Sequence, residues 1–157
     1  QQFSALGNLK SDVSEVGNIG TGTDNLLSFG YSAKSIANNG DGLTFIFTVV
    51  FANNANNKQV EATFGGVSVF LISDTYGAAG QSQAEVIVRI RRTSSTTAKC
   101  TATLIGSDTL LRADCQYNEI TTNFAAGQTF QITGTATATD DIICKQLESN
   151  VVIAQTS

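Results

Sequence analysis

Short apolar runs separated by turn-forming residues set the pattern of this chain. Residues 43–52, "LTFIFTVVFA", are apolar at nearly every position, which predicts a strand buried on both faces. In residues 84–92, "AEVIVRIRR", Val86, Val88 and Ile90 alternate with mostly charged positions. That alternation predicts a strand with one face on a core and the other toward solvent or a partner.

Further runs of this kind follow with turn signals between them, and no segment has the periodicity of a convincing amphipathic helix. The last run, residues 142–153, we divide at Lys145. Short strands at such spacing are typical of sandwiches and jelly rolls. We therefore predict an all-β fold, an antiparallel β-sandwich or jelly roll of about eight to nine strands over residues 20–157. Residues 1–19 are predicted to form a short extended N-terminal arm.

Composition narrows the class of protein. The chain has 157 residues, which fits one domain, and only 14% are charged, about half the usual share. With a net charge of −4 we predict no nucleic-acid partner. A short basic cluster in the second half is interpreted as a solvated strand face rather than an anion site; it consists of Arg89, Arg91, Arg92 and Lys99. No apolar stretch is long enough for membrane insertion.

Residues that carry chemistry are sparse. Histidine is absent, which removes Ser-His and Cys-His dyads and the commonest metal ligand, so we predict no enzyme, no metal and no cofactor. Three cysteines, Cys100, Cys115 and Cys144, without CxxC spacing favour buried free thiols. A Cys100–Cys115 bridge across neighbouring strands stays open. Methionine is absent too, so we interpret the chain as a fragment or a processed product.

Two candidate functional sites contain carboxylate side chains. Asp140 and Asp141 form the best acidic pair, but neighbouring strand residues point to opposite faces, so turn capping is favoured over a calcium or catalytic role. A polysaccharide hydrolase is the minor alternative. In the loop of residues 73–83, Tyr76 with Asp74 is the candidate for ligand contact, and its alternative is a rim residue.

The stretch "FTVVFANNANNKQVEATFGG" predicts a rigid corner between two strands. Its asparagines tolerate left-handed backbone angles and bond back to the chain, and Lys58 is expected to pair with a nearby carboxylate or carbonyl. Gly65 and Gly66 predict a hairpin or bulge. The four asparagines assigned to this corner are Asn53, Asn54, Asn56 and Asn57.

The opening "GTGTDNL", the asparagine-lysine corner followed by "FGG", and "ATATDDI" occur in this order along the chain. With "EVIVRIRRTSS", they resemble a small domain of tailed-phage virion proteins, covering residues 16–153. The resemblance is to the C-terminal head of tail fibres and spikes and to jelly-roll capsid decoration proteins. It implies a trimer packed about a threefold axis and supplies no catalytic residues. Related segments often carry tryptophan before the "EVIVRIRRT" strand, and residues 81–84 have none.

These observations predict a non-enzymatic virion structural protein. Proline is absent and charges are few, so the sheet edges lack two common guards, and burial against sister subunits of a homotrimer would cover them. The arm would tether the domain to capsid or tail-fibre proteins. Capsid decoration and tail-fibre head stay open, and a host surface glycan receptor function is the alternative. The expected location is the phage particle surface, after assembly in the bacterial cytoplasm.

Overall fold

A computed structural model describes residues 10–154, and these residues form eleven β-strands and no α-helix. All strand pairs are antiparallel, in two sheets that face each other across one core, so the predicted β-sandwich is confirmed. None of the described residues forms a helix long and apolar enough to cross a membrane. The strands are β1 (Lys10–Asp12), β2 (Val16–Gly17), β3 (Gly22–Tyr31), β4 (Gly42–Phe51), β5 (Lys58–Phe64), β6 (Val67–Asp74), β7 (Ser82–Arg92), β8 (Thr97–Gly106), β9 (Ala113–Thr121), β10 (Gln128–Ala136) and β11 (Ile142–Val152).

The two sheets differ in size. The large sheet has the order β1-β11-β4-β7-β8-β9, with β2 also beside β11, and the small sheet has the order β3-β10-β5-β6. Six connections therefore cross between sheets: β2 to β3, β3 to β4, β4 to β5, β6 to β7, β9 to β10 and β10 to β11. They bring distant parts of the chain to the rims of the sandwich.

Aromatic residues fill the space between the sheets. Phe45, Phe47 and Phe51 of β4 are fully buried and face the small sheet. Phe45 stacks on Phe130 of β10 with ring centroids 3.7 Å apart, and Phe47 meets Phe70 of β6 at 6.0 Å. The alternate residues of β4 are half-buried on the outer side of the large sheet, so the prediction of burial on both faces was too strong for this strand.

Two differences concern the number of strands. The large sheet gains β1 and β2, which fall inside the predicted N-terminal arm and pair with β11, while residues 1–9 of that arm lie outside the described residues. The last run is one continuous strand, because the break expected at Lys145 is a bulge in its pairing with β4 between Cys144 and Gln146. A bulge changes the pairing locally without ending the strand.

The edge strands β6 and β9 differ in how far their backbone groups are covered. In β9, which ends the large sheet, Ile120 is the only buried residue. The edge of the small sheet at β6 is covered by the Gln116 side chain. Its Nε2 donates to Leu71 O at 2.8 Å, and its Oε1 accepts from Leu71 N at 3.1 Å. The side-chain amide thus takes the place of a strand partner at Leu71 of β6, whereas β9 itself has a neighbour on one side only.

Candidate functional site

The asparagine corner, residues 52–58, carries the loop from β4 in the large sheet to β5 in the small one. Lys58, the first residue of β5, is fully buried there. Its Nζ donates to Asn54 Oδ1 at 2.8 Å, to the backbone oxygens of Asn54 and Asn56 at 3.1 Å each, and to Tyr76 O at 2.7 Å. Because Tyr76 belongs to the β6–β7 connection, one ammonium group joins two of the crossings between sheets.

Asp141 brings in a third crossing, the one between β10 and β11. Its Oδ1 accepts from Asn54 Nδ2 at 2.6 Å, and its Oδ2 accepts from Asn56 Nδ2 at 3.0 Å and from Ala138 N at 3.0 Å. The Asp141 backbone oxygen also accepts from Ala52 N at 2.9 Å. We call Lys58, Asn54, Asn56 and Asp141 the clamp, because together they hold three separate connections at one rim.

The charges of the clamp are compensated by hydrogen bonds. Burial lowers the pKa of Lys58, and the negative charges of Asp141 and Asp108 oppose that shift. For Asp141, burial alone would raise the pKa, but the hydrogen bonds from Asn54, Asn56 and Ala138 and the charge of Lys58 outweigh it and leave the pKa below its usual value. Buried ions persist when their hydrogen-bonding capacity is filled in this way. Since Lys58 is sealed from solvent, the arrangement is built for stability rather than for contact with a substrate.

The asparagines divide into two kinds. Asn54 and Asn56 reach inward to the clamp, whereas Asn53 is exposed and Asn57 Nδ2 donates to Ser73 Oγ at 3.3 Å. None of the four has a positive φ, so the expected left-handed backbone was wrong: within residues 10–154 the only non-glycine residue with positive φ is Asp140. The amides serve side-chain bonding, which needs no unusual backbone.

Asp140 and Asp141 do not form an acidic pair. The Asp140 side chain is exposed at φ 60°, while Asp141 is buried in the clamp. Among the described residues no group of three or more His, Cys, Asp or Glu side chains is placed to hold a metal ion. The turn between β10 and β11 is also bonded to Asn18. Asn18 Nδ2 donates to Ala138 O at 2.7 Å, and Asn18 Oδ1 accepts from Ile142 N at 2.9 Å.

Gly65 and Gly66 close a two-residue hairpin between β5 and β6. Both have positive φ, 59° and 78°, as a type I′ turn requires, and Phe64 pairs with Val67 across it. A Cβ on Gly65 would overlap Gln128 Oε1 and Thr122 Oγ1, so both the backbone angle and the space favour glycine.

Tyr76 lies in the core and not on a loop surface. It is 5% exposed, and its ring packs on Phe51 with centroids 5.1 Å apart. Burial, with smaller contributions from Asp74, Asp114 and Asp108, raises the pKa of Tyr76 to about 12. A ring buried to this extent offers no face to a ligand from solution. Asp74 is exposed and accepts from Thr75 N at 2.7 Å, which is a local turn contact.

The three cysteines are free. Cys100 and Cys144 are buried, and burial raises the pKa of each to about 12. Cys115 is exposed on the opposite face of the large sheet from Cys100: Cys100 belongs to the core, while Cys115 pairs with Thr103 on the outer side. The Cys100–Cys115 bridge is therefore excluded by the direction of the side chains.

The outer face of β7, β8 and β9 has a different character from the clamp. Arg89 stands opposite Thr101 and Arg91 opposite Lys99, and the next strand places Tyr117 opposite Thr101. Tyr117 is 55% exposed, against 7% for Tyr31 and 5% for Tyr76. A cleft of about 300 Å³ lies farther along the same face; its lining residues are Lys10, Ser11, Thr44, Ile46, Glu148, Ser149 and Asn150.

Sequence reasoning missed three of these residues. Asn18 is buried although it falls in the predicted arm, and "GNIGTGTD" gives no signal beyond a turn. Residues 113–121, "ADCQYNEIT", show no clear alternation of apolar and polar positions, so the inner side of Gln116 and the outer side of Tyr117 follow only from the pairing register. The basic cluster at Arg89 and Arg91 is visible in the sequence, but nothing in the sequence indicates that Tyr117 lies beside it.

Comparison with known proteins assigns no family to this chain. No protein-family model matches the chain, and no curated protein matches it. Among solved structures it is similar to a legume lectin-like domain from Entamoeba histolytica, at 8% sequence identity and a TM-score of 0.41. That alignment covers 99% of this chain and 94% of the other.

Proposed function

We propose that this chain is a non-enzymatic structural protein of a phage particle, a β-sandwich that assembles as a homotrimer to decorate a capsid or to form the head of a tail fibre. The observation that carries the proposal is the open edge at β9. This strand has nine residues, ends the large sheet, and buries only Ile120. An exposed strand of this length is a template for pairing with another chain.

The direction of the backbone groups supports this step. Thr122 N donates to Thr96 O at 2.9 Å, and Gly106 N donates to Arg112 O at 3.4 Å, so the even-numbered residues direct their backbone toward β8. In an antiparallel ladder the alternate residues then direct theirs away from it. Tyr117 and Glu119 thus present N–H and C=O groups to the open side, while Cys115 N is held by Asp114 Oδ1 at 2.8 Å.

Proline at an outward-directed position tests the edge. Glu119→Pro removes an N–H that the β8 ladder does not use and blocks pairing with another strand, while Glu119→Gln keeps the N–H. We expect light scattering to give three times 16.5 kDa for the wild type and for Glu119→Gln, and a folded monomer for Glu119→Pro. A wild-type monomer at micromolar concentration contradicts the trimer. Absence of the chain's peptides from purified particles contradicts the role in a virion.

A second function, binding of a host surface glycan, is favoured by one observation. Tyr117 exposes an aromatic ring beside hydroxyl and cationic side chains, and aromatic rings are usual contacts for sugars. Pairing at the β9 edge extends the sheet sideways and leaves its outer face open, so both functions are compatible. Binding of the folded protein to host-cell polysaccharide, lost in Tyr117→Ala, tests it; no binding to any host surface sugar counts against it.

A further inference from the structure

Three cations lie together on the outer face of the large sheet. Arg91 and Lys99 are directly opposite each other in the β7–β8 ladder, and Arg89 is two residues from Arg91 on the same face. Directly opposite Cα atoms in such a ladder are about 5 Å apart, and positions two residues apart are about 7 Å apart. Like charges in opposite positions repel each other.

None of these three cations forms a direct ion pair among the described residues, although Arg91 Nη1 donates to Ile90 O at 3.0 Å. Within residues 10–154 the only ion pair closer than 4.0 Å joins Lys145 to Glu15, away from these strands. Burial, and after it the positive charge of Arg89, lowers the pKa of Arg91. The acid nearest in register, Glu119 opposite Lys99, accepts a hydrogen bond from the Tyr117 hydroxyl at 2.9 Å instead. A surface with this arrangement gains from an anion that binds between the cations.

The same face supplies groups that suit a sugar. Thr101 stands between Arg89 and Tyr117 in one row of the sheet, so a hydroxyl, a guanidinium and an exposed ring are aligned across three strands. Thr44, opposite Arg89 on β4, continues this row toward the 300 Å³ cleft. An extended chain with acidic groups therefore has a continuous path across the sheet.

We propose that this face, with Arg89, Arg91, Lys99 and Tyr117 as its contacts, binds an acidic polysaccharide. Guanidinium and ammonium groups bind the carboxylate or sulfate groups, and the Tyr117 ring packs on a sugar ring. This inference rests on the second function proposed above and names its ligand class and site. Nucleic acid fits less well, because the protein carries a net charge of −4 and the outer face also contains Glu85 and Glu148.

Affinity electrophoresis of the full chain tests the proposal, in gels that contain polygalacturonate, dextran sulfate or neutral dextran. We expect retardation by the two acidic polymers, a loss of that retardation between about 0.05 and about 0.5 M salt, and none by dextran. The double variant Arg91→Gln, Lys99→Gln should bind about tenfold more weakly. The control Lys34→Gln, Arg112→Gln removes the same charge from two exposed positions elsewhere and should change affinity less than about twofold.

Variants of Tyr117 distinguish binding of a sugar ring from general binding of polyanions. Tyr117→Phe should keep the affinity for the acidic polysaccharides, and Tyr117→Ala should lose it several-fold. Equal weakening by the two double variants, or tighter binding of a single-stranded oligonucleotide than of either acidic polymer, overturns the proposal. If the protein binds neutral dextran, and this binding needs Tyr117 but not the cations, the acidic-polysaccharide proposal is overturned. The proposed glycan-binding function is then still supported. Circular dichroism confirms that each variant is folded.

Discussion

Replacement of Lys58 by methionine removes the ammonium group of the clamp while keeping most of the buried stem. The contacts of its three N–H groups with four acceptors disappear: Asn54 Oδ1 and the backbone oxygens of Asn54, Asn56 and Tyr76. Asn54 Oδ1 keeps a partner, because it also accepts from Asn56 N at 3.1 Å. Three backbone carbonyls in a closed site therefore lose the donor that held them.

The expected loss follows from these contacts. A buried acceptor left without a partner costs about 1–3 kcal/mol, and removing one member of a buried charged set costs roughly 3–5 kcal/mol. We expect Lys58→Met to lower the free energy of unfolding by about 3–5 kcal/mol, from a total that is about 5–15 kcal/mol for most domains. At about 2–4 °C per kcal/mol for a chain of this size, Tm should fall by roughly 6–20 °C.

Equilibrium unfolding in urea, followed by fluorescence and circular dichroism, measures this change. Lys34→Met is the matched control, since Lys34 is exposed, and it should stay within about 0.5 kcal/mol of the wild type. A double-mutant cycle with Asp141→Asn should give a coupling of about 0.5–3 kcal/mol through the shared partner Asn54. A loss below about 1 kcal/mol in Lys58→Met, or equal losses in the two lysine variants, refutes the role given to the clamp.

Three further predictions concern other parts of the sandwich. The pKa of Asp141 is lower in the folded protein than its unfolded value of 3.8, so this carboxylate stabilises the fold at pH values above 3.8. The contribution is lost as the pH falls through the folded pKa. Acid unfolding curves of wild type and Asp141→Asn should therefore converge below that pH. Gly65→Ala should cost about 1–2 kcal/mol in denaturant unfolding because of its φ of 59°, whereas Gly30→Ala, with open space at its Cβ, should stay near neutral. A thiol reagent should modify Cys115 in the native protein and the two core cysteines only after unfolding; three fast thiols contradict this arrangement.

The pattern of apolar and polar residues was enough for the fold class. Alternation in residues 84–92 correctly indicated the inner face of β7, and the paired glycines correctly indicated the hairpin after β5. These features are local, because a strand's faces follow from a period of two and a tight turn from the backbone angles that glycine allows. The asparagine-lysine corner was also recognised as structural, and the expected pairing of Lys58 with carbonyl groups is present. Its backbone angles and its bonds to Asp141 were not predicted.

The clamp and the outer face could not be predicted from the sequence, because each combines residues that only the tertiary structure brings together. Lys58 and Asp141 are 83 positions apart in the numbering, and they share Asn54 only because the β4–β5 and β10–β11 connections cross at the same rim. Likewise, the sequence contains Arg91 and Tyr117 but not the β7–β8–β9 register that puts both on one side. Sequence by itself determined most of the strands, the glycine hairpin and the inner face of β7, since those depend on neighbours along the chain. Which loops meet, which edge stays open and which charges stand together were decided by the pairing of distant strands.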